Sequence, residues 1–266
     1  MNVVSLSVFD LSLAASLVLL MAVLSYLMHL KMSQIILIAA ARTVVQLLLV
    51  GFILKWLFAQ QDFFWIGITW TVMLLVAGRE IMARQTRRFK GIWGYGVGTL
   101  SVFLSSFIVG IFVLTMVVNN SPWYTPQYSI PLMGMIIGNT MTASALSLEN
   151  LTKTTWQQRQ IIEARLALGE SWRESIQDIA TQSVRIGLFP IVNAMAAAGL
   201  VNLPGMMSGQ ILGGTPPAEA VKYQILIMFM ITAASGFATL IAVWIGARHL
   251  FDDRQRLSSD RLKVVR

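Results

Sequence analysis

Side chains that usually carry chemistry are scarce in this chain. It has no cysteine, which removes disulfides, thiolate metal ligands and thiol catalysis together. Its two histidines, His29 and His249, fall at the ends of apolar stretches, where a solvated or headgroup-facing role competes with metal ligation. Asp10, Glu80 and Glu149 also sit at such ends, and the other acids lie in polar segments. No intramembrane acid pair is therefore on offer for proton transfer, and no catalytic set can be assembled. There is no G-x4-G-K-[ST] loop, so the chain does not itself hydrolyse ATP by that route. It reads as a non-enzyme without a cofactor, and no metal-ligand set is assigned.

What remains is polar or soft. Arg42 and Gln46 are four residues apart and share one face of a helix. A charge at a span centre costs at least ~2.5 kcal/mol on insertion scales. Arg42 is roughly 12 Å into its span at the helical rise, so it either snorkels to the interface or lines a pathway. Gly134, Gly138, Asn139, Thr140, Thr142 and Ser144 form a small-polar strip suited to close helix packing, with Asn139 the member suited to do more and Asn193 a candidate partner. Met133, Met135, Met141, Met206 and Met207 are thioethers, a better match to Cu(I) than to iron, and equally ordinary core packing.

These residues need a scaffold, and composition says which. The 266 residues are 56% hydrophobic and 12% charged, with a mean hydropathy of +0.69. Soluble domains run nearer a quarter charged, so the chain reads as all-α and polytopic in a membrane, a single transmembrane domain over 1–266. A helix needs about 20 apolar residues to cross. Seven stretches approach that length: Leu11–Leu30, Gln34–Leu54, Phe63–Ala83, Ile92–Val118, Ser129–Leu148, Ile186–Val201 and Ile225–Ala247. Asp10 is placed to cap the first. No basic segment or small-residue cleavage pattern marks that first stretch as a signal peptide, so it is expected to be retained.

Basic residues orient the spans. With the N-terminus outside, the cytoplasmic side receives seventeen Lys and Arg and the outside only Lys55 and Lys222. The expectation is N-out, C-in, with a basic cytoplasmic tail over 248–266. The +8 net charge then reports topology and not nucleic acid.

Two segments interrupt the spans. In "LVNLPGMMSGQILGGTPP" (200–217) three prolines and four glycines lie among apolar residues. A helix is expected to break near Asn202-Leu203-Pro204 and continue as a re-entrant or interfacial piece, about 202–214. Irregular backbone at that depth must be buried in protein or line a wet cavity. An ordinary outer loop is the alternative. Pro204 and Gly205 would set the break, and Met206 and Met207 would plug a gate. The other segment, 150–185, is polar. Ile161, Ile162, Arg165, Leu166 and Leu168 suggest an amphipathic helix ended by Gly169, with a new helix opening near Ser171. Its stripe wants either a partner groove or the lipid headgroups.

Glu163-Ala164-Arg165, followed three residues later by Gly169, resembles the EAA–x3–G core of the coupling loop in ABC-transporter permeases. Arg165 stands where that core has a second alanine, and the usual proline-containing tail is displaced to Ile186–Pro190. More broadly, "PLMGMIIGNTMTASALSLENL" (131–151), "EARLALGES" (163–171) and "LVNLPGMMSGQILGGTPPAEAVKYQI" (200–225) resemble the FetB-like iron-export permease family, which includes plant aluminium-tolerance permeases. The resemblance implies a permease subunit of an ABC exporter in the inner or plasma membrane. It implies a separate cytoplasmic ATPase, two permeases with two ATPases, iron or chelated-metal efflux and a role in oxidative-stress resistance. Glu163, Ala164, Arg165, Leu168 and Gly169 would then form the ATPase-coupling element. The alternative is a stand-alone carrier or channel for a metal or small polar solute.

Overall fold

The structure, a computed structural model, describes residues 7–60 and 62–264. It is almost wholly helical and divides into two units. The first holds α1 (Val8–Leu27), α2 (Ser33–Gln60) and residues 212–215. Its two helices pack on each other through a turn in which His29 and Lys31 take positive φ. Ser7, not Asp10, caps α1. The Ser7 hydroxyl accepts from the Asp10 amide at 3.2 Å while Asp10 accepts from the Ser7 amide at 2.8 Å, a reciprocal box that places the acid one turn inside.

The second unit runs from α3 (Phe63–Ala83) through strand β1 (Arg87–Phe89) to α4 (Trp93–Phe112), which continues as a π turn over Val113–Val118. Then come α5 (Pro126–Gln157), α6 (Arg159–Ala167), α7 (Trp172–Ala197), α8 (Gly205–Leu212), α9 (Pro217–His249) and strand β2 (Leu262–Val264). Among the described residues five helices are long and apolar enough to cross a membrane: α1, α2, α3, α4 with its π turn, and α9. Each of α5 and α7 joins an apolar half to a polar one, which dilutes its hydropathy. The chain is a polytopic helical membrane protein.

Within this unit α5 is the centre, packed against α3, α4, α7 and α9. Small residues make that possible. Gly187 of α7 faces α5 and α9 so closely that a Cβ there would lie 2.6 Å from Thr239 Cγ2 and 2.8 Å from the Ala143 carbonyl oxygen. Thr140 meets Ser106 of α4 at 3.1 Å between hydroxyls. The expected small-polar strip of α5 therefore divides: Thr140 and Ser144 are buried in the bundle, while Gly138, Asn139 and Thr142 lie on a more open face.

The helix ends differ from the sequence expectation in an informative way. Segment 150–185 is not a long loop. It is the last turns of α5, the short α6 and the first half of α7. Long-range polar contacts extend both helices: Asn150 Nδ2 donates to Ser183 Oγ at 2.9 Å, and Thr152 Oγ1 donates to the Arg87 carbonyl at 2.7 Å. Ser171 opens α7 with a capping box to Glu174.

Replacing Gly187 by valine is expected to cost about 1–3 kcal/mol through overpacking, read as a lowered thermal midpoint in detergent. Gly138→Ala is the contrast, because nothing lies within 4 Å of a Cβ there. That variant should be neutral or slightly stabilising; equal loss in both would refute the seam.

Candidate functional site

At one end of the second unit the helix termini are tied into a polar platform. The α3–α4 connection supplies β1, which pairs antiparallel with β2 from the chain's end. Lys90 N donates to the Arg261 carbonyl at 2.8 Å, continuing that pairing. From α5, Glu149 accepts from the Thr86 amide at 2.7 Å and from its hydroxyl at 2.6 Å. Arg87 lies 4.1 Å over the Trp156 ring, a cation–π contact that joins the same two elements.

The segment after α9 is ordered by its own loop. Asp252 accepts from the Arg254 and Arg256 amides at 2.9 and 2.8 Å and from Arg256 Nε at 2.9 Å. These bonds, led by the Arg256 amide, hold the Asp252 carboxyl below the usual carboxylate range. Phe251 is buried beside Trp172, and the Trp172 amide donates to Gln255 Oε1 at 3.2 Å. The basic tail is thus a folded part of the platform, which its charge alone did not reveal.

On this platform α6 and α7 form an elbow. Gly169 takes φ +96°, the left-handed conformation that closes α6 and favours glycine. Arg165 spans the bend: Nε is 2.6 Å from Glu170 Oε2, and Nη1 is 3.3 Å from Asp178 Oδ2 on α7. The Glu170 hydrogen bond raises the guanidinium pKa further above its already high value, with Asp178 adding to it. Glu174 is held below its usual value by the Ser171 hydroxyl and amide. Ile162 is buried, whereas Glu163, Ala164 and Leu168 point outward, Leu168 at 85% exposure. A groove of about 650 Å³ runs between Glu163, Leu166 and Glu170 on one wall and Arg254, Arg256 and Leu257 on the other. The five predicted coupling residues thus share one elbow, with Arg165 as its clamp.

The predicted pathway residues fall in both units, and each is described where it lies. Arg42 and Gln46 are exposed on α2. Asn139 is exposed and returns its amide to the Met135 carbonyl at 2.8 Å. Asn193 is exposed on α7, and no hydrogen bond joins it to Asn139 among the described residues. At the expected break α7 stops at Ala197 and α8 starts at Gly205, with Gly199 at φ +80° making the turn. A Cβ at Gly205 would meet nothing within 4 Å. Pro204 and Met207 line a cavity of about 500 Å³ with Met195, Met228 and Gln224, while Met206 is half-buried outside that lining. The described residues contain no group of three or more His, Asp or Glu side chains placed to hold a metal ion.

Sequence reasoning missed Thr86, Glu149, Thr152 and Gln255 as platform residues. The one local signal was the alternation Leu262-Lys263-Val264, a short strand pattern.

A bundle of apolar helices bearing a polar elbow at its end defines a multi-pass helical membrane protein. The chain belongs to the Uncharacterised protein family (UPF0014), which it matches over residues 8–251. It is 35% identical to the UPF0014 membrane protein slr1647 of Synechocystis, over 82% of this chain and 84% of that one. It is 32% identical to the probable iron export permease protein FetB of Escherichia coli over 96% of both chains. It is 31% identical to the Arabidopsis protein ALUMINUM SENSITIVE 3, over 86% of this chain and 81% of that one. No solved structure matches it.

Because Asp252 and Glu174 titrate below the unfolded carboxylate range, their stabilisation is complete above about pH 5 and is lost as pH falls through their lower folded values. Thermal midpoints should fall as pH drops below that point, through the range in which these two carboxylates take up protons. In the Asp252→Asn, Glu174→Gln double variant, the acid-dependent part of the decline should shrink. An undiminished decline would assign it to other groups.

Proposed function

We propose that this chain is the transmembrane subunit of an ATP-driven ABC exporter, moving iron or a chelated metal out of the cytoplasm and contributing to oxidative-stress resistance. It works in the inner or plasma membrane as a homodimer with two separate cytoplasmic ATPase subunits. Seven helices cross, N-out and C-in, with α5 and α7 added to the five apolar ones. At 32 and 26 residues both exceed the length of about 20 that a bilayer core needs, and their polar halves project beyond it. The distribution of basic residues supports that orientation.

The observation that carries this reading is the elbow. A nine-residue helix between two long ones turns Leu168, Glu163 and Ala164 outward and is clamped by Arg165. An apolar residue held out on a stiff, charged frame suits docking into a cleft of another protein. Substrate passage is assigned to the second unit, to the open face of α5, where Met135, Gly138, Asn139, Thr142 and Leu146 follow helical spacing, and to Asn193 of α7. The outer gate is assigned to Pro204, Gly205, Met206 and Met207. The names of FetB and ALUMINUM SENSITIVE 3 support metal as the class of cargo.

Co-purification from native membranes tests the elbow. Wild type should bring down an ATPase carrying phosphate-binding loops, and Leu168→Glu should lose it at an unchanged melting temperature, since Leu168 packs against little. If neither form brings down an ATPase although folded, the stand-alone carrier becomes the better reading.

A further inference from the structure

The same end of the bundle carries a second arrangement that the elbow does not use. Where α4 begins and α9 ends, Trp93 stacks on His249 with ring centres 4.2 Å apart and planes at 17°. Phe89 supports the imidazole edge-on at 5.3 Å. Two adjoining cavities share Trp93, His249 and Arg261. One, of about 480 Å³, adds Lys90 and Asp260; the other, of about 360 Å³, adds Arg248, Trp244 and Asp253.

The cations are fixed in different ways. Arg261 Nη1 donates to the His249 carbonyl at 2.8 Å and to the Phe251 carbonyl at 3.3 Å, so its guanidinium is held at the site, and no carboxylate among the described residues pairs with it. Lys90 is exposed and makes no ion pair among the described residues. Arg248 reaches Asp253 only at 3.4 Å, with that carboxylate fully exposed. Three cations face two acids across the two cavities.

Surroundings identify the ligand class. On α9, Phe237, Leu240 and Trp244 are exposed at helical spacing and lead along one face to the cavity. On α4, Trp93 and Leu100 do the same. Both helices are apolar enough to cross a membrane, so these stripes meet acyl chains. Trp93 and Trp244 stand at the helix ends, where tryptophan marks the headgroup level. A fixed guanidinium and an unpaired ammonium at that level, above an apolar track, match a phosphodiester with its chains attached.

We propose that the ends of α4 and α9 form a specific site for a phospholipid. Its phosphodiester lies between Lys90 and Arg261, its glycerol crosses the Trp93–His249 stack, and an acyl chain follows Trp244 and Leu240. Asp260 beside the phosphate gives an amine-bearing headgroup a partner. Occupancy ties the α3–α4 connection to the chain's end, reinforcing the β1–β2 pair that closes the platform. The site rests on the membrane-spanning fold and is independent of what the protein transports.

Native mass spectrometry of protein taken from vesicles of phosphatidylethanolamine and phosphatidylglycerol tests it. Wild type should retain a single phospholipid through collisional activation. Lys90→Glu should lower that occupancy by about five-fold, near the worth of one cation at a lipid surface, while Lys90→Arg retains it. Lys153→Gln, an exposed cation on α5, should retain it as well. Arg248→Gln provides a second reading from the other cavity. Equal retention in wild type and Lys90→Glu overturns the proposal, as does equal loss in Lys153→Gln. Displacement of the lipid by millimolar inorganic phosphate also overturns it, since the site would then be one for free anions.

Discussion

Close approach of α5 to its neighbours, through residues too small to hold them apart, is the constraint on which the second unit depends. In a bilayer, helices gain nothing from leaving water again, so packing and hydrogen bonds between them must hold the bundle. Gly187 lets α7 sit against the Ala143 carbonyl and Thr239. Four residues nearer the start of α7, Ser183 takes the Asn150 amide. The helices that make this seam are the ones that leave it: α5 runs on to carry Glu149 and Thr152, and α7 starts at the elbow. No loop lies between this close packing and the platform at the bundle's end.

Much of this was legible in residue order. Long apolar runs announced the helices because their only stable state in lipid is a helix with every backbone group satisfied. Gly169 announced the end of α6 because a left-handed residue strongly favours glycine. The break after α7 was legible from Pro204 and the glycines, although the residue that makes the turn is Gly199, just before that run. The limits of α5 and α7 were not legible. Hydropathy reports where lipid can be, and a helix that continues into water keeps its hydrogen bonds without keeping its hydrophobicity. What extends these helices is contact with partners far away in sequence, such as Arg87 with Thr152, and no local pattern encodes such a pair. The tail shows the same limit: its charges satisfy a topology rule, while Phe251, Asp252 and Leu262 give it a fold.

Arg165 illustrates how one substitution changes what a motif does. Alanine at that position would leave the bend to Gly169 alone. With arginine, the guanidinium reaches Glu170 across the turn and Asp178 nearly two turns into α7. The pairs are partly exposed, so each is worth little to global stability. Their geometry matters more than their energy, because together they fix the angle between two helices.

That angle bears on recognition. A nine-residue helix is below the length at which an isolated helix holds its shape in water. Here α6 keeps it because Ile162 is buried, Gly169 closes the last turn and Arg165 ties the next helix back. Leu168 remains in water at 85% exposure, an unfavourable position that the frame sustains. A surface ordered before contact gives up less entropy on docking than one that must order during it. The elbow therefore offers its apolar residue already positioned, and the groove between Glu163 and Arg254 sets charges of both signs beside it. Shape and charge at the elbow are thus set by contacts within the chain.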